Sequence, residues 1–388
     1  MTSPISYSVE DPNLERVRDI TDQCDGKRFR LLINFTDIDF GENHDFAQAK
    51  HTQLPITLDD LKGRLAPFIP VINNNPSLFT TIINYGIGDY FQCNEDSLAT
   101  LSEATGWFFQ QLNTPRNLIS VPVMLHLDGQ TMLSKAKACL KGLAPTQVEF
   151  IVLVNPKTLP QDYDHFIRQI ALLHEQALFV DVGIFLQPGL TQTDALWLKK
   201  LAEKSMVLNP LLLYPIHRNN GSFLQTQPED FKEFFQTLWN GLKEQGDLRL
   251  LTQSISMPMT DQNLSTLELI KKATDAAISE RVLIDTQNQV WFVAFGLGDT
   301  PIQHTFHESF SPQPIGEIKD GAFIPHPKAQ RALERALLNA ASSEACMECP
   351  HQKTCYGSGY GWYHLHSPNP GDCGNPARAV FEILKQQQ

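Results

Sequence analysis

The sequence predicts an α/β protein built around a partial (β/α)6 TIM-like barrel. Between residue 28 and about residue 278, short apolar, β-branched runs alternate with longer segments of helical periodicity, which is the pattern of a parallel sheet with crossover helices. The chain has 388 residues, 42% of them apolar, so it can bury a large core without disulfide bonds. Six such units in roughly 185 residues suit a partial barrel better than a full one of about 250 residues. A doubly wound open sheet stays as the alternative.

Six apolar runs are the strand candidates, and each is followed by a segment long enough for a helix. The candidates are Phe29–Phe35, Phe79–Asn84, Ile119–Leu127, Val148–Val154, Leu178–Leu186 and Val207–Tyr214. The helix signals are clearest in three places. Thr57 with Asp60 three residues later marks a helix start, and helical spacing of apolar residues runs through Pro160–Gln176 and Asp194–Lys204.

The alternation of strand-like and helix-like segments ends near residue 279. Val282–Asp285 and Gln289–Phe295 predict a β-hairpin, and Lys328–Ala341 predicts a helix that leads into a cysteine-rich end. We therefore divide the chain into an N-terminal extension, 1–27, a barrel, 28–279, and a C-terminal domain, 280–388.

Charge and hydropathy exclude several classes of partner. The net charge of −12 and the lack of a Lys/Arg cluster argue against nucleic acid. No run approaches the about 18 to 20 apolar residues of a membrane span. The stretch Met1–Arg18 is polar and acidic, unlike a secretory signal, so we expect a cytoplasmic protein whose cysteines are thiols or metal ligands.

Four of the seven cysteines lie close together near the end of the chain, among several glycines. They are Cys346, Cys349, Cys355 and Cys373. Glycines permit the positive-φ turns that wrap a chain around an ion or cluster, so these four thiolates can converge on one centre. Their spacing alone does not separate an iron–sulfur cluster from zinc.

This segment resembles the C-terminal auxiliary-cluster domain, called SPASM or twitch, of radical S-adenosylmethionine (SAM) enzymes. The hairpin, the stretch Ile315–Ile318 and the helix before the cysteines fall in the order typical of that family. The resemblance implies that the four cysteines hold one auxiliary [4Fe–4S] cluster. It also implies that a first auxiliary cluster is absent, because its remaining cysteine positions fall at Gly359 and near Val293 or Ala294.

The same resemblance implies that the barrel has lost the family's catalytic cluster. The strand ending at Thr36 is similar to the family's first strand, and the C-x3-C-x2-C positions then read Asp39, Asn43 and Phe46. None of these residues can replace a thiolate on a soft cluster, so SAM cleavage is not expected. The family's Gly-Gly-Glu-Pro turn is represented by Gly86, Gly88 and Asp89, which we take as a weak cofactor-binding candidate.

The resemblance further implies a component of a peptide- or protein-modification system that binds a peptide or an active paralogue without cleaving SAM. Candidate polar groups for that cleft stand at the predicted strand ends: Asp89, His126, Asp128, Tyr214, His217 and Arg218. Two alternatives stay open. One is an enzyme with a mononuclear metal site at the rim from Asp39 to His51, which also holds Glu42, His44 and Asp45. The other is a structural zinc protein.

Overall fold

The computed structural model describes a sheet-centred α/β protein. The residues described are 27–33, 36–39, 50–53, 57–76, 78–85, 89–125, 128–154, 163–177, 179–185, 190–203, 212–213, 229–244, 281–284, 287–292, 314, 316–320, 322–329, 347–351 and 382–383. The strands among them are β1 Lys27–Ile33, β2 Thr36–Asp39, β3 Lys50–Gln53, β4 Leu78–Tyr85, β5 Arg116–Val123, β6 Val148–Val154, β7 Phe179–Phe185, β8 Leu212–Leu213, β9 Arg281–Ile284, β10 Gln289–Phe292, β11 Gly316–Lys319 and β12 Ala322–Pro325. The helices are α1 Leu58–Leu65, α2 Phe68–Asn73, α3 Glu95–Gln110, α4 Gly129–Ala138, α5 Tyr163–His174, α6 Gln192–Glu203 and α7 Glu229–Glu244.

Ten of these strands form one sheet, in the order β12-β11-β10-β9-β1-β4-β5-β6-β7-β8. From β1 through β4 to β8, each strand pairs in parallel with the strand that follows it in the barrel sequence. From β1 to β8 the order runs in one direction, as it does in a TIM-like barrel, and it changes direction only at β1, where β9 and the C-terminal strands continue on the other side. The singly wound order of a TIM-like barrel is therefore the arrangement adopted, and all six predicted strands are present in it.

The predicted hairpin forms, as β9 and β10, and it extends the barrel's own sheet. β9 pairs in parallel with β1, with Arg30 opposite Arg281 and Ile33 opposite Ile284. β10 and β11 then continue the sheet in antiparallel fashion to β12. The boundary proposed between residues 279 and 280 thus falls immediately before a strand that shares a sheet with the barrel.

Both C-terminal hairpins turn through a residue with positive φ. Asn288 has a φ of 63° between β9 and β10, and Asp320 has a φ of 51° between β11 and β12. Asn and Asp tolerate the left-handed region better than other side chains do, and both residues are common in tight hairpin turns. The backbone carbonyl of Asn288 also accepts a hydrogen bond from the amide of Ile318 at 2.8 Å, which ties the first turn to β11.

The helices cover one face of the sheet and share a core with it. Leu31, Ile83, Ile119 and Phe150 of the strands belong to the same buried cluster as residues of the helices, such as Phe108. The start of α1 carries the predicted capping box, in which Thr57 and Asp60 bond each other's backbone amides. Among the described helices, none has both the length and the apolar character that a membrane crossing requires.

The contact between α3 and the turn after α4 requires two glycines. A Cβ added to Gly106 would lie 2.4 Å from the carbonyl oxygen of Gly142, which is backbone and has little room to move. Gly142 has a φ of 79°, a conformation that glycine adopts without steric cost. The close approach of α3 to this turn therefore depends on the missing side chain of Gly106 and on the backbone conformation of Gly142.

Candidate functional site

The segment that follows β1 forms a two-stranded antiparallel sheet, β2 with β3. Asp39 is the last residue of β2 and pairs with Lys50, while Ile38 pairs with His51. Because directly paired residues share a face and successive residues alternate, Asp39 and His51 occupy positions on opposite faces of this hairpin. Asn43 and Phe46, the other two positions of the family's cysteine motif, lie outside the described residues, as do Glu42, His44 and Asp45.

The turn after β4 leads to Asp89, which is buried, with 3% of its surface exposed. One carboxylate oxygen accepts the backbone N–H of Phe91 at 3.1 Å and that of Met124 at 2.9 Å. The first bond begins a 3-10 turn over Tyr90–Gln92, and the second fixes the chain where β5 ends. Asp89 therefore joins the carboxyl ends of β4 and β5. Gly86 and Gly88 lie outside the described residues.

Lys135 of α4 forms hydrogen bonds with the C-terminal part of the same 3-10 turn. Its ammonium group donates to the backbone carbonyls of Phe91 and Cys93, the latter at 2.7 Å. Cys93 is buried, and burial raises the pKa of its thiol to about 11, although the nearby Lys135 charge lowers it in part. Burial likewise raises the pKa of Cys139, at the end of α4. Both thiols are thus held protonated and unreactive at neutral pH.

Asp128, another residue of the predicted cleft, is the N-cap of α4. Its side chain accepts the amides of Gln130 and Thr131, each at 3.0 Å, and the Thr131 hydroxyl at 2.7 Å. The Thr131 hydroxyl is also the first cause of a lowered pKa at this exposed carboxylate. Asp128 thus starts a helix at the strand-end rim. The remaining cleft candidates, His126, Tyr214, His217 and Arg218, lie outside the described residues.

One of the four clustered cysteines, Cys349, lies within the described residues. It is a partly exposed free thiol in the short segment 347–351, which also contains the buried His351. Cys346, Cys355 and Cys373 lie outside the described residues, so their predicted convergence stays a prediction. Within the part of the chain that is described, no three His, Cys, Asp or Glu residues gather into a metal-binding group.

The sheet also brings together a polar pair that the sequence analysis did not single out. The Ser120 hydroxyl of β5 donates to a carboxylate oxygen of Glu149 on β6, at directly paired positions of the two strands. The sequence signal that could have revealed this pair is that Ser120 and Glu149 are polar residues, each within an apolar strand candidate. A strand that is buried on both faces gives no alternation that would mark these positions.

No protein-family model matches the sequence. No curated protein matches it either.

Solved structures, in contrast, do match the fold. Native anSMEcpe with bound AdoMet, a radical SAM/SPASM enzyme, is 11% identical and aligns over 92% of this chain and 96% of its own, with a TM-score of 0.53. The same enzyme with bound AdoMet and Cp18Cys peptide is 10% identical over the same shares of the two chains, with a TM-score of 0.50. These likenesses give this chain the fold of the radical SAM enzymes.

A further match is coproporphyrinogen III oxidase (HemN) from Escherichia coli, which is a radical SAM enzyme. It is 12% identical and covers 71% of this chain and 67% of its own, with a TM-score of 0.39. We draw nothing from so low a score.

Proposed function

We propose that this chain, which has the fold of the radical SAM enzymes, is a non-catalytic member of a peptide- or protein-modification system. It binds a peptide or a protein partner, with an active paralogue as one candidate, and does not cleave SAM. The observation that carries the proposal is the β2–β3 hairpin after β1. No cysteine occurs anywhere between Cys24 and Cys93, so this segment has no thiol.

The residues in this position do not fit a catalytic cluster. A radical SAM cluster needs three thiolates, leaving one iron open for SAM. Here the first position of that motif is Asp39, whose backbone is paired in a strand with Lys50. At the end of β4, the carboxylate of Asp89 accepts two backbone amides. We therefore derive no step through a SAM cluster.

The C-terminal cysteines suit an auxiliary [4Fe–4S] cluster. Cys349 is in no disulfide bond, so its sulfur is available as a ligand. With its three partners Cys346, Cys355 and Cys373, it would supply four thiolate ligands and hold the Gly-rich end of the chain together. Such a cluster would have a structural or electron-carrying role, with structural zinc as the competing outcome.

A peptide is the partner class that we favour. One structure of similar fold holds a peptide, Cp18Cys, together with AdoMet. Loss of the catalytic cluster leaves the strand ends of a barrel available for a polypeptide. The net charge of −12 favours a short peptide or a basic polypeptide over a phosphorylated metabolite, because charge steers opposite sign.

A mononuclear metal enzyme at the hairpin is a weaker candidate. Asp39 and His51 would both have to reach one ion, yet their register places them on opposite faces of the β2–β3 sheet.

The decisive experiment is anaerobic incubation with dithionite and SAM, followed by chromatography for 5′-deoxyadenosine. We expect the product at blank level, and a variant carrying D39C, N43C and F46C serves as a comparison for the effect of restoring the thiols. Multiple turnovers by the wild-type protein would overturn the proposal. A pull-down from the native host at low and moderate salt should recover a polypeptide partner, and recovery of none would also count against it.

A further inference from the structure

We draw no further inference here: the strongest candidate, the edge of the described sheet at β12, where Ile324 is 40% exposed, carries nothing, since the strand is four residues long and ends at Pro325, which has no N–H to donate, and nothing in the structure shows what covers it.

Discussion

Replacing Asp89 with alanine should destabilise the protein strongly, because this residue joins two strand ends in a buried place. The carboxylate is 3% exposed and accepts the amides of Phe91 and Met124 at 3.1 and 2.9 Å. Each buried amide left without an acceptor costs about 1–3 kcal/mol. Two such amides give an expected loss of about 4 kcal/mol in the free energy of unfolding for Asp89→Ala.

The conservative variant separates the hydrogen bonds from the charge. Asp89→Asn keeps an oxygen that can accept both amides, so it should lose only about 1–2 kcal/mol. Asn94→Ala is the matched control. Its side chain also accepts one amide, that of Ser97 at 2.8 Å, but at an exposed helix N-cap, where the expected loss is about 1 kcal/mol.

The measurement is urea-induced unfolding followed by circular dichroism, with the three variants and the wild type at one pH. The expected order of stability is wild type, then Asp89→Asn and Asn94→Ala together, then Asp89→Ala. A loss below about 1 kcal/mol for Asp89→Ala would refute the reasoning, since it would mean that water or another group replaces the carboxylate.

Three further outcomes are expected. Gly106→Ala should lower the free energy of unfolding by about 2–3 kcal/mol, because its Cβ would meet a backbone carbonyl. The control Gly63→Ala, which has nothing within 4 Å, should raise the free energy of unfolding by about 0.5–1 kcal/mol through helix propensity. Equal effects of the two variants in thermal unfolding would contradict the packing argument. In metal-free protein at about pH 8, a thiol reagent should modify Cys349 well before Cys93 and Cys139. Burial raises the pKa of Cys93 to about 11, so the stability that its neutral thiol contributes is complete below the ordinary pKa of 9.0 and is lost as the pH rises towards 11. Early modification of Cys93 at about pH 8 would contradict its placement as a buried, protonated thiol. Anaerobically purified protein should be brown with about four irons per chain, and Cys349→Ala should lose them; one zinc per chain would favour the structural-zinc alternative instead.

The sequence by itself determined the six barrel strands, the hairpin β9–β10 and the start of α1, but it did not predict β2, β3, β11 or β12. β6 has the predicted bounds Val148–Val154, and the capping box of Thr57 and Asp60 starts α1 where expected. These features depend on residues a few positions apart, since apolar runs and caps act through local periodicity and local hydrogen bonds. The absence of thiols after β1 is equally a property of the sequence, and it carries the proposal that SAM is not cleaved.

The tertiary structure decided which of these residues meet. Asp89 is read from the sequence as a polar residue after a Gly-rich turn, but its two amide partners include Met124, 35 positions away. Arg30 and Arg281 become direct neighbours only because β9 pairs in parallel with β1. A strand carries no local mark of its partner or of the face that will be buried, because both are set by packing between segments far apart in the chain.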